Sequence, residues 1–150
     1  DTVRTKGDTV VEWGVKRGDR SFPWRGEGLR AGDVLAFRYT TKLRYLLVFS
    51  VEDSGRVSVF FADETGQRSR LIPPGRRRTL GKGVELDDYA GAERLYVLFS
   101  KAPVTVRDVR RAVAGRLATA GAAARRRLEL GPLGLPGEVQ SWLITREKTP

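Results

Sequence analysis

The chain has 150 residues, 40% of them hydrophobic, and a formal net charge of +10; that is one domain, long enough to bury a real core. It contains no Cys, no His and no Met, which removes disulfides, thiolate chemistry, Cys zinc sites and the commonest general base and metal ligand. Most nucleophilic and metal-dependent enzyme designs go with them, so no catalytic residue, cofactor or metal ligand is nominated. The 22 Arg and 6 Lys read either as a solvated basic surface, enriched in Arg by GC-rich codon usage, or as attraction to nucleic acid, anionic lipid or an acidic protein. No apolar run approaches the roughly 18 residues of a membrane span, and no signal peptide is visible. A first residue other than Met leads us to expect a piece of a longer protein.

Residues 1–8 are expected to be a linker from an upstream segment, running into a strand. Over 9–17, Val11, Trp13 and Val15 alternate with Glu12, Gly14 and Lys16, the pattern of a half-buried strand. Arg17-Gly18-Asp19-Arg20 is a turn rather than an adhesion tripeptide. Ser21 to Gly32 reads as a Gly-rich loop in which Phe22 and Trp24 flank Pro23. Exposed, the two aromatics would suit a partner surface; otherwise they cap one end of the core. Leu35, Phe37 and Tyr39 then mark a strand over 34–40.

Arg44 to Asp63 is the centre of the chain. Tyr45, Leu47, Phe49 and Val51 share one face of a strand with Leu46, Val48 and Ser50 on the other. A strand apolar on both faces is covered above and below. Glu52-Asp53-Ser54-Gly55 is a tight connection, with Gly55 at the φ > 0 position of a short bulged hairpin. Val57, Val59 and Phe61 form the return strand. The expected pairing joins 33–40, 44–51 and 56–62 as a meander.

Asp63 to Gly83 is polar and irregular, with a turn at Pro73-Pro74-Gly75 and the run Arg76-Arg77-Arg78. Thr79 to Leu86 reads as a short edge strand. Glu85, Asp87 and Asp88 group in a turn that lacks the spacing of a calcium loop. Leu95, Val97 and Phe99 against Tyr96 and Leu98 make another buried strand. The period then changes. Thr105 to Asp108 fits a capping box, and Val106, Val109, Val113 and Leu117 follow helical spacing. One amphipathic helix is expected over about 106–119, with Ala122 to Leu130 extending it after a break at Gly121. Val139 to Thr145 closes the chain as a strand that neighbours the one at 93–100.

The fold expected is mainly β: an antiparallel β-sandwich of about seven strands, immunoglobulin-like or jelly-roll-like, with one helix inserted before the last strand. A partly open barrel is the alternative. The domain spans 9–147, and 148–150 is a tail. Trp13, Trp24 and Trp142, if exposed, would line a sugar-binding face; the expectation is a core role for most of the three.

The order of these motifs resembles a known family. Leu29-Arg30-Ala31-Gly32-Asp33 precedes a strand, and Tyr45-Leu46-Leu47-Val48 and Ser54-Gly55-Arg56-Val57-Ser58-Val59-Phe60-Phe61 come next. Val84-Glu85-Leu86-Asp87-Asp88 and Gly91-Ala92-Glu93-Arg94-Leu95-Tyr96-Val97-Leu98-Phe99 follow. This resembles, over about residues 9–147, a bacterial domain of unknown function. That domain is appended to serine/threonine kinases, caspase-like peptidases and membrane proteins with a cytoplasmic zinc-finger anti-sigma-like segment. The resemblance implies an extracytoplasmic, non-catalytic module whose partner is another protein of the same signalling system. It implies no catalytic residues.

Three groups of residues are candidates for contact. Arg76, Arg77 and Arg78, extended by Arg68 and Arg70, would form an anion site, in two parts with Arg125, Arg126 and Arg127. Phe22 and Trp24 would form a partner surface. Arg107, Arg110 and Arg111 on the helix would bind an acidic partner. Solvated tips and a solubilising helix face are the structural counterparts of these readings. A hydrolase using a carboxylate pair is a third class, to be judged by whether a cleft holds two carboxylates.

Overall fold

The computed structural model describes residues 9–148 and the backbone of residues 2–4. The strands are β1 (Thr2–Arg4), β2 (Val10–Arg17), β3 (Arg20–Pro23), β4 (Val34–Thr41), β5 (Tyr45–Glu52), β6 (Val57–Phe61), β7 (Arg70–Leu71), β8 (Gly75–Thr79), β9 (Val84–Glu85) and β10 (Gly91–Ser100). Helices α1 (Val106–Thr119) and α2 (Ala122–Arg126) precede β11 (Glu138–Arg146). The first sheet runs β1-β2-β4-β8, with β3 also on β2 and β9 also on β4. The second runs β11-β10-β5-β6, with β7 also on β5. Every ladder is antiparallel. The remainder of the expected linker, residues 1 and 5–8, and tail residues 149 and 150 lie outside the described residues.

The sheets pack face to face as a sandwich, and the helices cover the outer face of the second sheet. Trp13, Val15, Leu35 and Phe37 of the first sheet meet Leu46, Val48, Leu95 and Phe99 of the second in one core. Leu47, Phe49, Tyr96 and Leu98, on the other face of β5 and β10, meet Val106, Val109 and Val113 of α1 in a second core. β5 is therefore buried on both faces, as its two-sided apolar run predicts. Trp13 stacks on Trp24 at 4.7 Å and meets Trp142 edge-on at 5.8 Å, so all three tryptophans are core. α1 spans Val106–Thr119, and Thr105 Oγ1 accepts from the Asp108 amide at 3.1 Å as its N-cap.

Four expectations are corrected. First, β4 does not join the meander. It is apolar on one face only, so it belongs to the sheet with a solvent face, and the chain crosses between sheets at 41–44, where Thr41 Oγ1 accepts from the Leu43 amide. Second, Arg20–Pro23 is strand β3, paired to β2, rather than loop. Gly14 permits this: a Cβ there would lie 2.7 Å from the Phe22 carbonyl oxygen. Third, Gly75–Thr79 is strand β8, so Arg76, Arg77 and Arg78 lie along a sheet edge and not at a loop tip. The expected strand over 79–86 contracts to β9. Fourth, the β5–β6 register shifts between the pairs Val48↔Phe61 and Phe49↔Val59. This bulge places Phe60 and Phe61 together against the inter-sheet core, where simple alternation would separate them.

Candidate functional site

Only two large hydrophobic side chains among the described residues are exposed, Leu71 at 61% and Leu143 at 42%. Leu71 marks the open side of the sandwich. There the β6–β7 edge of the second sheet meets the β8–β9 edge of the first around a slot of about 470 Å³. Phe60, Phe61, Ile72, Leu80 and Val84 supply apolar walls, while Arg70 and Lys82 are the charged residues lining it among the described residues. The Arg70 guanidinium lies 5.4 Å from the centre of the Phe61 ring, and its Nε donates to the Ala62 carbonyl at 2.7 Å. Tyr39 donates to the Pro73 carbonyl at 2.9 Å, fixing the turn that leads into β8. The slot is thus an apolar cleft with a cationic rim, held on both sides by ladder-bonded strands.

The basic clusters separate. Arg76, Arg77 and Arg78 are exposed on β8, and none of their side chains forms an ion pair among the described residues. Arg68 is occupied by Asp63 at 3.6 Å. The Asp63 carboxyl is held below the usual carboxylate range, chiefly by the Thr65 hydroxyl and also by the Gln67 and Arg68 amides. Arg125, Arg126 and Arg127 belong to the layer over the second sheet, where neighbouring Leu128 and Leu130 enter the second core. β8 belongs to the first sheet, so Arg76–78 and Arg125–127 lie on different layers. Arg127 is in addition paired to Glu129 at 2.9 Å.

Phe22 and Trp24 come together with Pro23 in the lining of one groove, though neither is fully exposed. Trp24 is buried, with its Nε1 donating to the Glu27 carbonyl at 2.9 Å. Phe22 is half-buried, packed against the core with the Arg17 guanidinium 5.4 Å from its ring centre. This groove, of about 680 Å³, crosses the outer face of the first sheet. Its charges are of both signs, Glu12 beside Lys16, Arg25 and Arg38, over a floor of Gly14 and Ala36. On α1, Arg110 donates to the Val57 carbonyl at 3.1 Å and Arg111 approaches Asp108 at 4.0 Å. The helix face is therefore partly committed to the fold.

One polar constellation is new. Arg146, with its side chain 1% exposed, donates to Glu93 Oε1 at 2.7 Å and to Asp87 Oδ1 at 2.7 Å. It also donates to the Asp87 carbonyl at 2.6 Å. Ser50 donates to the second Glu93 oxygen at 3.0 Å. Glu52, directly opposite Glu93 across the β5–β10 ladder, accepts from Ser58 at 3.3 Å. Tyr89 lies over the Arg146 guanidinium at 5.7 Å and donates to Asp53 at 2.8 Å. The hydrogen bond from Arg146 holds the Asp87 carboxyl below its ordinary range, while burial and Asp53 push the Tyr89 phenol up. Glu52 and Glu93 are two facing carboxylates, but both are buried and hydrogen-bonded within the sandwich end. No group of three or more acidic residues able to hold a metal ion occurs among the described residues, and no helix among them is long and apolar enough to cross a membrane.

Of the basic residues singled out from the sequence, Arg70 lines the slot and Arg76, Arg77 and Arg78 do not; the apolar walls were not anticipated. No family model, curated protein or solved structure matches the chain.

Proposed function

We propose that the chain is a non-catalytic binding module of a bacterial envelope signalling protein, acting by contact with a partner protein at the open side of the sandwich. The observation that carries this reading is the slot. It combines the most exposed large hydrophobic side chain, Leu71, with half-buried Phe60 and Phe61 and a rim of Arg70 and Lys82. Apolar and aromatic anchors inside a charged rim are the composition of a protein-contact hot spot. The extracytoplasmic location and the partner from the same signalling system follow from the family resemblance and belong to this proposal.

The second reading is a polyanion-binding surface, favoured by the exposed run Arg76–Arg78 on β8. Salt separates the two, because charge-led binding weakens steeply as salt rises and an apolar interface does not. The test is a pull-down from envelope and cytoplasmic extracts at low and high salt with the parent chain, Leu71→Asp and a variant with Arg76, Arg77 and Arg78 all replaced by Ala. A protein retained by the parent at high salt and lost with Leu71→Asp supports the proposal. Binding confined to nucleic acid or anionic lipid, and abolished by the triple replacement, supports the second reading.

A further inference from the structure

Leu143, the other exposed hydrophobic residue, lies on β11, the opposite edge of the second sheet from the slot. Edge strands expose unpaired backbone groups, and proteins defend them with charges, bulges and side-chain caps. Two other exposed edges among the described residues, β8 and β6, are defended in this way. β8 carries three arginines, and Arg77 adopts a left-handed φ of 52°. β6 is bulged at Phe60, and the carbonyls of Val57 and Ala62 are capped by Arg110 and Arg70. β11 has none of these devices over Val139–Thr145. That run holds no charged residue and no Pro, in a chain where 31% of residues are charged.

The free backbone groups on β11 follow from the ladder. The Leu29 amide donates to the Thr145 carbonyl at 2.8 Å from outside the sheet. On the other side of the β10–β11 pair, the Ala92 carbonyl is taken by the Asp53 amide at 3.2 Å. Ala92 and Thr145 are therefore a non-hydrogen-bonded pair, and alternation turns the N–H and C=O groups of Val139, Ser141 and Leu143 off the free edge. No partner takes them among the described residues. Leu29 closes the strand beyond Thr145, so the open stretch is Val139 to Leu143.

We infer that this stretch pairs with a second copy of the chain. Two copies related by a two-fold axis at Ser141 align antiparallel, with Ser141 opposite Ser141 of the second copy and Val139 opposite its Leu143. Each such pair exchanges two backbone hydrogen bonds, and the Val–Leu contacts cover the exposed Leu143 on the outer face. The uncharged run is what selects this occupant. Two copies set no like charges opposite each other in the ladder itself; the Arg94 guanidinium, whose Nη1 donates to Ser141 Oγ at 3.3 Å, flanks the pair on the outer face. The dimer is a continuous sheet across the two-fold axis, with a free slot at each far edge, so that it engages a partner bivalently.

The test is sedimentation equilibrium of the full chain across micromolar to millimolar concentrations, with hydrogen exchange measured in parallel. The mass moves from 16.7 kDa towards twice that value as concentration rises, and the Val139, Ser141 and Leu143 amides gain protection. Leu143→Lys and Ser141→Pro each raise the dissociation constant by about tenfold or more. The proline removes only an outward N–H, so it takes no bond from the β10–β11 ladder. If Ser141→Pro unfolds the chain, Leu143→Lys alone decides. A chain that stays monomeric throughout, or one that dimerises equally well as Leu143→Lys, overturns the inference.

Discussion

Replacing Arg146 by Met should be among the most damaging single changes in the chain. Among the described residues the guanidinium is the only cation paired with Glu93, whose side chain is 1% exposed, and both lie inside the sandwich end. Removing one member of a buried ion pair leaves the other charge unpaired, which costs about 3–5 kcal/mol. Asp87, with a side chain 73% exposed, returns to solvent at little cost, so the penalty comes from Glu93. For a domain of this size the loss lowers the melting temperature on the order of 10 °C. Replacing both partners, Arg146→Met with Glu93→Leu, removes the stranded charge as well. It should recover most of the loss, less about 1 kcal/mol for the Ser50 hydroxyl that loses its acceptor. Urea unfolding followed by the fluorescence of the Trp13–Trp24–Trp142 cluster measures both variants. A single variant within about 1 kcal/mol of the parent, or a double variant as unstable as the single one, would refute the assignment of a buried, mutually dependent pair.

Four further expectations are open to the same assay. Val109→Asp places a charge in the fully buried interface between α1 and the second sheet and should cost several kcal/mol, about 3 or more; a melt within a degree or so of the parent would show that the helix does not dock there. Thr105→Ala removes the N-cap bond to Asp108 and should cost about 1 kcal/mol, so an unchanged urea midpoint would count against the cap. Burial pushes the Asp33 carboxyl up, but the bidentate Arg17 and the Arg30 amide carry it below its ordinary range. A lowered folded-state pKa gives stability that is present above the unfolded value, about 3.9, and is lost as pH falls through the folded one. Asp33→Asn should therefore flatten the acid limb of stability against pH, and an unaltered limb would contradict the pairing. Leu71→Asp, at an exposed site, should leave stability within about 0.5 kcal/mol of the parent while abolishing partner capture at high salt.

Much of the frame was legible in the sequence because burial is written in periodicity. β5 is apolar at every position from Tyr45 to Phe49, so it had to be covered on both faces. The boundaries of α1 follow from Thr105, Asp108 and the valine stripe. β3 and β8 were not legible, since neither alternates in hydrophobicity. Arg76–Arg78 become a strand only because β4 offers a ladder edge, and that is tertiary information. The slot was hidden for the same reason. Its walls come from Phe60 and Phe61, the Leu71–Ile72 pair and the 79–84 loop, and a bulge that sequence does not announce turns Phe61 inward. The Arg146 network did leave a signal. Arg146 is in phase with Trp142 and Ile144, and Glu93 with Leu95 and Val97, which places both charges on the core face of their strands.

The central claim is that the partner docks at the open side. Hydrogen exchange on the chain alone, and then in complex with the protein captured at high salt, tests it most directly. The account predicts new protection at Phe60, Phe61, Leu71 and residues 81–84, with the polar face of α1 at Arg107, Arg110 and Arg111 unchanged. Protection on that helix face, with the slot still exchanging freely, would contradict it.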